Sequence, residues 1–208
     1  MSHLNIEIER LKADTIEMWC LVISQLEKAK LAIETFDEHL ANEINANEKR
    51  VDAFELKLDM DCENILALFN PLANDLRFVL SVLKINYNLE RIGDYAKGIT
   101  RCIRDTSEPF SKEVLRETHV ISMFEIAIDM LRGTLESFES ENNKNAIAVF
   151  KKDEYLDKVN SEANVVIAEI IKRNPEKIND TLQLLSFIRK LERVGDQVQN
   201  IAEEIVFY

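Results

Sequence analysis

An all-α fold is predicted by three features of this 208-residue sequence. Glycine and proline are scarce, at four and three residues, which suits long helices and short connections. Apolar residues recur at steps of three and four along most of the chain, the period of a helix with one buried face. The second half also repeats the first: Leu89-Glu90-Arg91-Ile92-Gly93-Asp94 returns as Leu191-Glu192-Arg193-Val194-Gly195-Asp196, 102 positions later. Together these predict a tandem duplication of two antiparallel three-helix bundles, six long helices in all, with the repeats at residues 1–108 and 109–208.

The first helix is expected to bury Leu4, Ile8, Leu11, Thr15, Met18 and Val22 and to run to about Ala41. A polar stretch from Asn42 to Asn47 should break it before a second helix whose stripe is Val51, Phe54, Leu58, Cys62, Ile65 and Phe69. Asn70-Pro71 reads as the start of the third, because Asn caps free amides and Pro fits the first turn. That helix carries Ile85, Leu89, Ile92, Ala96, Ile99 and Ile103 to about Asp105. Thr106-Ser107-Glu108-Pro109 marks the boundary between repeats, since Pro opposes helical geometry in the residue before it.

The second half follows the same plan. One helix from about Ser111 to Glu139 should bury Met123, Ala127, Met130, Thr134 and Phe138, and Asn142-Asn143 forms the turn. The next buries Leu156, Val159, Ala163, Val166 and Ile170. Asn174-Pro175 then repeats the Asn-Pro start, and the last helix carries Ile188, Leu191, Val198, Ile201 and Ile205.

Composition narrows the function. A net charge of −12 and a pI near 4.8 oppose nucleic-acid backbones and anionic lipid. Cys20, Cys62 and Cys102 are widely spaced, form no CxxC pair and read as small core residues in a reducing compartment. The N-terminus has no signal-peptide pattern and no apolar run reaches the length of a membrane span, so a cytoplasmic protein without membrane insertion is expected. No glycine-rich phosphate loop is present. A ferritin-type oxidase would need Glu-x-x-His pairs. His3, His39 and His119 form none, and no enzymatic activity is expected.

The carboxylates carry the functional signal. Residues four apart on a helix stand one above the other, so Glu90 with Asp94, and Glu192 with Asp196, form acidic ridges. A second pair at the same spacing opens each middle helix: Glu48 with Asp52, and Asp153 with Asp157. Asp52 to Pro71 spans 19 positions and Pro71 to Glu90 spans 19 again, against 18 and 17 in the second repeat. Antiparallel helices therefore bring the ridges level, and four carboxylates per bundle converge. Bare acids at this spacing repel, which a cation relieves; oxygen-only donors suit Mg, Mn, Ca or Fe rather than Cu or thiolate-bound Zn. The rival reading is a metal-free helical adaptor bundle, whose acids are solvated and balanced by Arg91 and Arg193. Gly93 and Gly195, costly in helix interiors, are expected to permit close helix approach beside the acids.

The doubled layout, Pro71-Leu72-Ala73-Asn74-Asp75-Leu76-Arg77, the two Glu-Arg-x-Gly-Asp segments, and Asn200-Ile201-Ala202-Glu203 resemble the PhoU family over nearly the whole chain. The resemblance implies two three-helix bundles and a negative regulator of phosphate uptake and phosphate-starvation signalling. The implied partners are the ATPase subunit of a phosphate ABC transporter and a sensor histidine kinase, with the protein peripheral to the inner membrane through them. Accessory proteins of other phosphate transporters share such bundles, so a different transporter remains an alternative partner. Carried over by motif, Glu48, Asp52, Glu90 and Asp94 would hold one metal site and Asp153, Asp157, Glu192 and Asp196 the other, with Mg, Mn, Fe or Zn as the metal. Gly98 stands opposite Asn200, and Thr100-Arg101 opposite Ala202-Glu203, so the second site is expected to have the fuller ligand supply. Exposed long helices ending in Phe207 and Tyr208 suit self-association as a homodimer.

Overall fold

The computed structural model describes residues 2–106, 108–140 and 142–207, apart from the side chains of Cys102 and Arg104. Ser107 of the predicted boundary, Tyr208 and the Cys102 side chain thus lie outside the described residues. Seven α-helices fill the described chain: α1 (His3–Thr35), α2 (Glu38–Phe69), α3 (Asn74–Asp105), α4 (Lys112–Glu117), α5 (Val120–Ser140), α6 (Lys144–Arg173) and α7 (Ile178–Phe207). Helices α1, α2 and α3 pack as one antiparallel bundle and α5, α6 and α7 as a second. The bundles join through α1 against α5 and α3 against α7, leaving α2 and α6 on the outside.

The long stripes are where the helical period puts them. Every member of the α3 and α5 sets is buried, and so are Leu11, Thr15, Met18 and Val22 of α1. Trp19 ties the bundles together: its indole N–H donates to the Leu131 carbonyl at 3.1 Å, and its ring meets Phe138 at 5.5 Å.

Four helix ends differ from the sequence reading. α1 stops at Thr35, where Phe36 adopts a left-handed conformation (φ 56°), and Asp37 caps α2 by accepting from the His39 amide. The stretch from Asn42 to Asn47 stays helical because Ile44 within it, with Ala41 and Glu48 on its two sides, continues the buried stripe. Asn70 ends α2 in the left-handed conformation that Asn tolerates, and α3 begins only at Asn74. In the second repeat Asn174 closes α6, Pro175–Lys177 form one 3₁₀ turn, and α7 follows.

The single helix expected over 111–139 is two. Ser111 caps α4; Thr118 turns its hydroxyl back to the Val114 carbonyl at 2.8 Å, and the His119 amide reaches Arg116 instead of continuing the α-helical ladder. This side-chain competition with the backbone leaves His119 left-handed (φ 55°) and starts α5 in a new direction. Cysteine placement also differs: Cys62 is buried as expected, but Cys20 is exposed, one step off the Met18–Trp19–Val22 face.

Candidate functional site

Each acidic ridge of a third helix lies beside the start of its middle helix. In the first repeat, Glu48, on the apolar stripe between Ile44 and Val51, is 1% exposed. Burial pushes its carboxyl up to about 7, with Asp94 and Asp52 adding repulsion while Lys97 opposes them. Glu90 is also raised to about 7, first by burial and then by Asp94, Glu55 and Asp52. The four acids predicted from the sequence therefore act on one another across α2 and α3.

The second repeat reproduces the arrangement. Asp153, 2% exposed between Val149 and Leu156, is pushed up to about 7 by burial and by Asp157, Asp196 and Glu192. Glu192 and Asp196 are both shifted upward, by burial first, and Asp157 adds to each while Arg193 works against it. Asp52, Asp94, Asp157 and Asp196 are exposed, and Glu90 and Glu192 half-buried. Each site is thus a graded ridge running from one buried oxygen pair to open solvent.

Both buried acids keep an orphan oxygen. Glu48 Oε2 accepts from Gln25 at 3.4 Å, and Asp153 Oδ2 accepts from Gln199. Glu48 Oε1 and Asp153 Oδ1 have no hydrogen-bond donor, although such an unmet buried acceptor ordinarily costs about 1–3 kcal/mol. The carboxylates converge without closing: among the described residues, no three His, Cys, Asp or Glu side chains form a ready-made coordination sphere.

The two glycines explain how the buried acids reach their places. A Cβ on Gly195 would overlap Asp153 Oδ1 and lie 2.6 Å from Leu156 Cδ1; one on Gly93 would stand 3.1 Å from Gln25 Oε1 and 3.3 Å from Val51 Cγ1. The close approach expected from the sequence is therefore tight in both repeats and absolute only in the second.

Several site residues escaped the sequence reading. Glu55 extends the first ridge, shifted upward by burial, Asp59, Asp52 and Asp94; the second repeat has Asn160 there, which hydrogen-bonds Glu192 and lowers it. Lys97 Nζ sits 3.9 Å from both Glu48 Oε1 and Asp94 Oδ1, and its counterpart is Gln199. The spacing Glu48, Asp52, Glu55 was visible, but a search for pairs shared by both repeats passes over a carboxylate present in only one. Asn200 is used elsewhere, donating at 3.3 Å to Asn88 across the α3–α7 interface, and Glu203 is exposed. A further asymmetry, which the sequence reading did not include, is the cation beside the first site.

The PhoU domain profile matches residues 15–103 and again residues 120–205. The chain belongs to the PhoU family. Among PhoU relatives, a phosphate-specific transport system accessory protein PhoU homolog 1 of Thermotoga maritima is 28% identical over 206 residues, covering 99% of this chain and 88% of its own. The phosphate-specific transport system accessory protein PhoU of Edwardsiella tarda is 30% identical, with 99% and 84% covered. The crystal structure of PhoU from Pseudomonas aeruginosa superposes with a TM-score of 0.89 at 28% identity, covering 99% of this chain and 98% of that one. That of the phosphate transport system regulatory protein PhoU from Streptococcus pneumoniae gives 0.84, also at 28% identity, with 99% and 96% covered. The all-α fold of two PhoU repeats is common to these chains. No described helix is long and apolar enough to cross a membrane.

Proposed function

We propose that this chain is an accessory regulator of phosphate-specific transport whose two acidic ridges take up divalent or transition metal ions. Membership of the PhoU family and the names of relatives aligned over nearly the full chain support the transport reading. The metal reading rests on one observation: Glu48 Oε1 and Asp153 Oδ1, at matching places in the two repeats, are buried oxygens without a hydrogen-bond donor, Glu48 Oε1 having only the Lys97 ammonium at 3.9 Å. Glu48, Asp52, Glu90 and Asp94 would hold metal in the first repeat, and Asp153, Asp157, Glu192 and Asp196 in the second, with Glu55 added to the first. An all-oxygen donor set fits Mg, Mn or Fe. A bound cation would neutralise clustered carboxylates and fix α2 to α3, and α6 to α7, so its role is conformational.

The regulator would work by docking, with the ATPase subunit of a phosphate ABC transporter and a sensor histidine kinase as partners and a cytoplasmic, membrane-peripheral location through them. A metal-free first site is favoured by one specific feature, the Lys97 ammonium between Glu48 and Asp94. Calorimetry and elemental analysis on unchelated protein test the metal reading: stoichiometric cation lost in the Glu48→Gln/Asp153→Asn variant supports it, and no cation in the wild type overturns it. Deletion should derepress phosphate-starvation genes under ample phosphate, and affinity purification should recover the ATPase or the kinase.

A further inference from the structure

Four cations face one groove of about 520 Å³ between α3 and α7: Arg91 on α3, and Arg189, Lys190 and Arg193 on α7. This is unusual company in a chain of net charge −12. Among the described residues none of the four is in a salt bridge, while Lys84 near the other end of the same helix contact is. Arg91 and Arg193 also feel the neighbouring acids, Glu90 for the first and Glu192 and Asp196 for the second, while the hydrogen bonds of Arg91, Arg189 and Lys190 go to neutral groups. Arg91 donates to the Tyr95 hydroxyl at 2.9 Å and lies over its ring, Arg189 reaches Asn164 at 3.4 Å, and Lys190 bonds Ser186.

The duplication supplies an internal control. A shift of 102 positions carries Arg189 and Lys190 onto Tyr87 and Asn88. At that other end of the α3–α7 contact, Asn88 is closed by Asn200 and the local cation Lys84 is paired with Glu204 at 2.9 Å. Arg91 and Arg193 are equivalents in the repeat, so the duplication accounts for them; Arg189 and Lys190 are the charges that one end alone carries.

We propose that this groove docks an acidic segment of a partner protein, one with an apolar residue among its carboxylates. Arginine forks donate bidentately to carboxylates. The apolar requirement comes from Leu182, 46% exposed, and from Leu185 and Tyr95, which lie among the cations. A free inorganic anion would be gripped by buried donors converging on one point, and these side chains are spread along two helices with apolar surface between them. The inference rests on the reading of the protein as one that acts by docking and is independent of metal at the carboxylates.

The test is fluorescence anisotropy with a labelled peptide alternating Glu and Leu, on the full chain. Binding should weaken by about tenfold, or about 1.4 kcal/mol, in the Arg189→Gln/Lys190→Gln variant, weaken with added salt, and be unchanged by Lys152→Gln on the outer helix. A matching Gln-Leu peptide should not bind. Equal affinity of wild type and double variant overturns the proposal. So does direct binding of pyrophosphate with the same residue dependence when the peptide does not bind. Metal uptake measured on the same variants keeps the two readings separable, since Arg189 and Lys190 lie outside the carboxylate ridges: intact uptake with lost peptide binding is the expected pattern.

Discussion

Asp153 Oδ1 rests against the Cα of Gly195, in the space a methyl group would need. The buried carboxylate and the glycine form one unit: α6 can bring an acid onto the core side of α7 only because α7 has no side chain there. Gly195→Ala should therefore destabilise the protein by about 1–3 kcal/mol, the usual range for overpacking, and displace Asp153. Gly93→Ala crowds the end of Gln25 and one Val51 methyl and meets Glu48 Oε2 at an ordinary contact distance, and it regains about 1 kcal/mol of helix propensity, so its net change should stay within about 1 kcal/mol. Thermal denaturation of the pair, with metal binding measured alongside, checks the contrast.

The raised carboxyls set a pH dependence. Glu48, Glu90 and Asp153 hold protons in the folded state up to about 7, but release them near pH 4 when unfolded. Between those limits the native state binds more protons, so metal-free stability falls as pH rises from about 4 through about 7. Melting of chelated protein across this range should show the decline, and an added divalent cation should reverse it above pH 7 by replacing the protons.

Neutral isosteres separate charge from shape. At pH 8, Glu48→Gln and Asp153→Asn should each raise the melting temperature of metal-free protein, because each removes a buried charge. The same substitutions should abolish the rise that metal produces. A variant that loses stability without metal would show that the carboxylate is held by contacts other than those described.

Lys97 makes the first repeat its own counter-ion. Lys97→Gln, which installs the residue type found at position 199, should raise the first site's affinity for a divalent cation by about fivefold or more, since it removes a positive charge about 4 Å from the ligand oxygens. Calorimetry in an Asp153→Asn background reads the first site alone.

Trp19 is the chain's one tryptophan and sits in the seam between bundles. Trp19→Phe should cost about 1–2 kcal/mol through the lost bond to Leu131 and the volume left behind, as read by denaturant unfolding. In the wild type, fluorescence of Trp19 should report separation of α1 from α5.

What the sequence exposed, and what it hid, follows from the physics of each signal. The stripe from Ile85 to Ile103 repeats over five helical turns, and such sustained periodicity decides element type. The kink at His119 turns on a hydroxyl at Thr118 choosing a carbonyl, with no Gly or Pro to announce it. The left-handed Phe36 is equally unannounced, because aromatic residues rarely take that conformation. Counting along the helices brought the acidic pairs level, yet the burial of Glu48 and Asp153 was missed even though both sit on their helices' apolar stripes. A charged residue on a stripe reads as an interruption until the facing glycine is seen. Lys97 and Glu55 stayed hidden for a different reason, since a repeat reveals what both copies share and they occur in one.

Antiparallel α3 and α7, touching through Asn88 with Asn200 at one end and through Gly98 with Lys190 at the other, have the geometry of a two-fold dimer interface written into a single chain. In a true dimer of identical repeats every substitution appears twice, so a favourable charge at one end brings an identical charge at the other. Fusion in tandem removes that constraint. Each half can vary alone, and a scaffold that began symmetric can hold an inner cation in one acidic ridge and a glutamine in the other. It can likewise present a basic face at one end of its seam and a closed one opposite. The duplicated chain therefore has a direction, and partners arriving from two sides can be told apart.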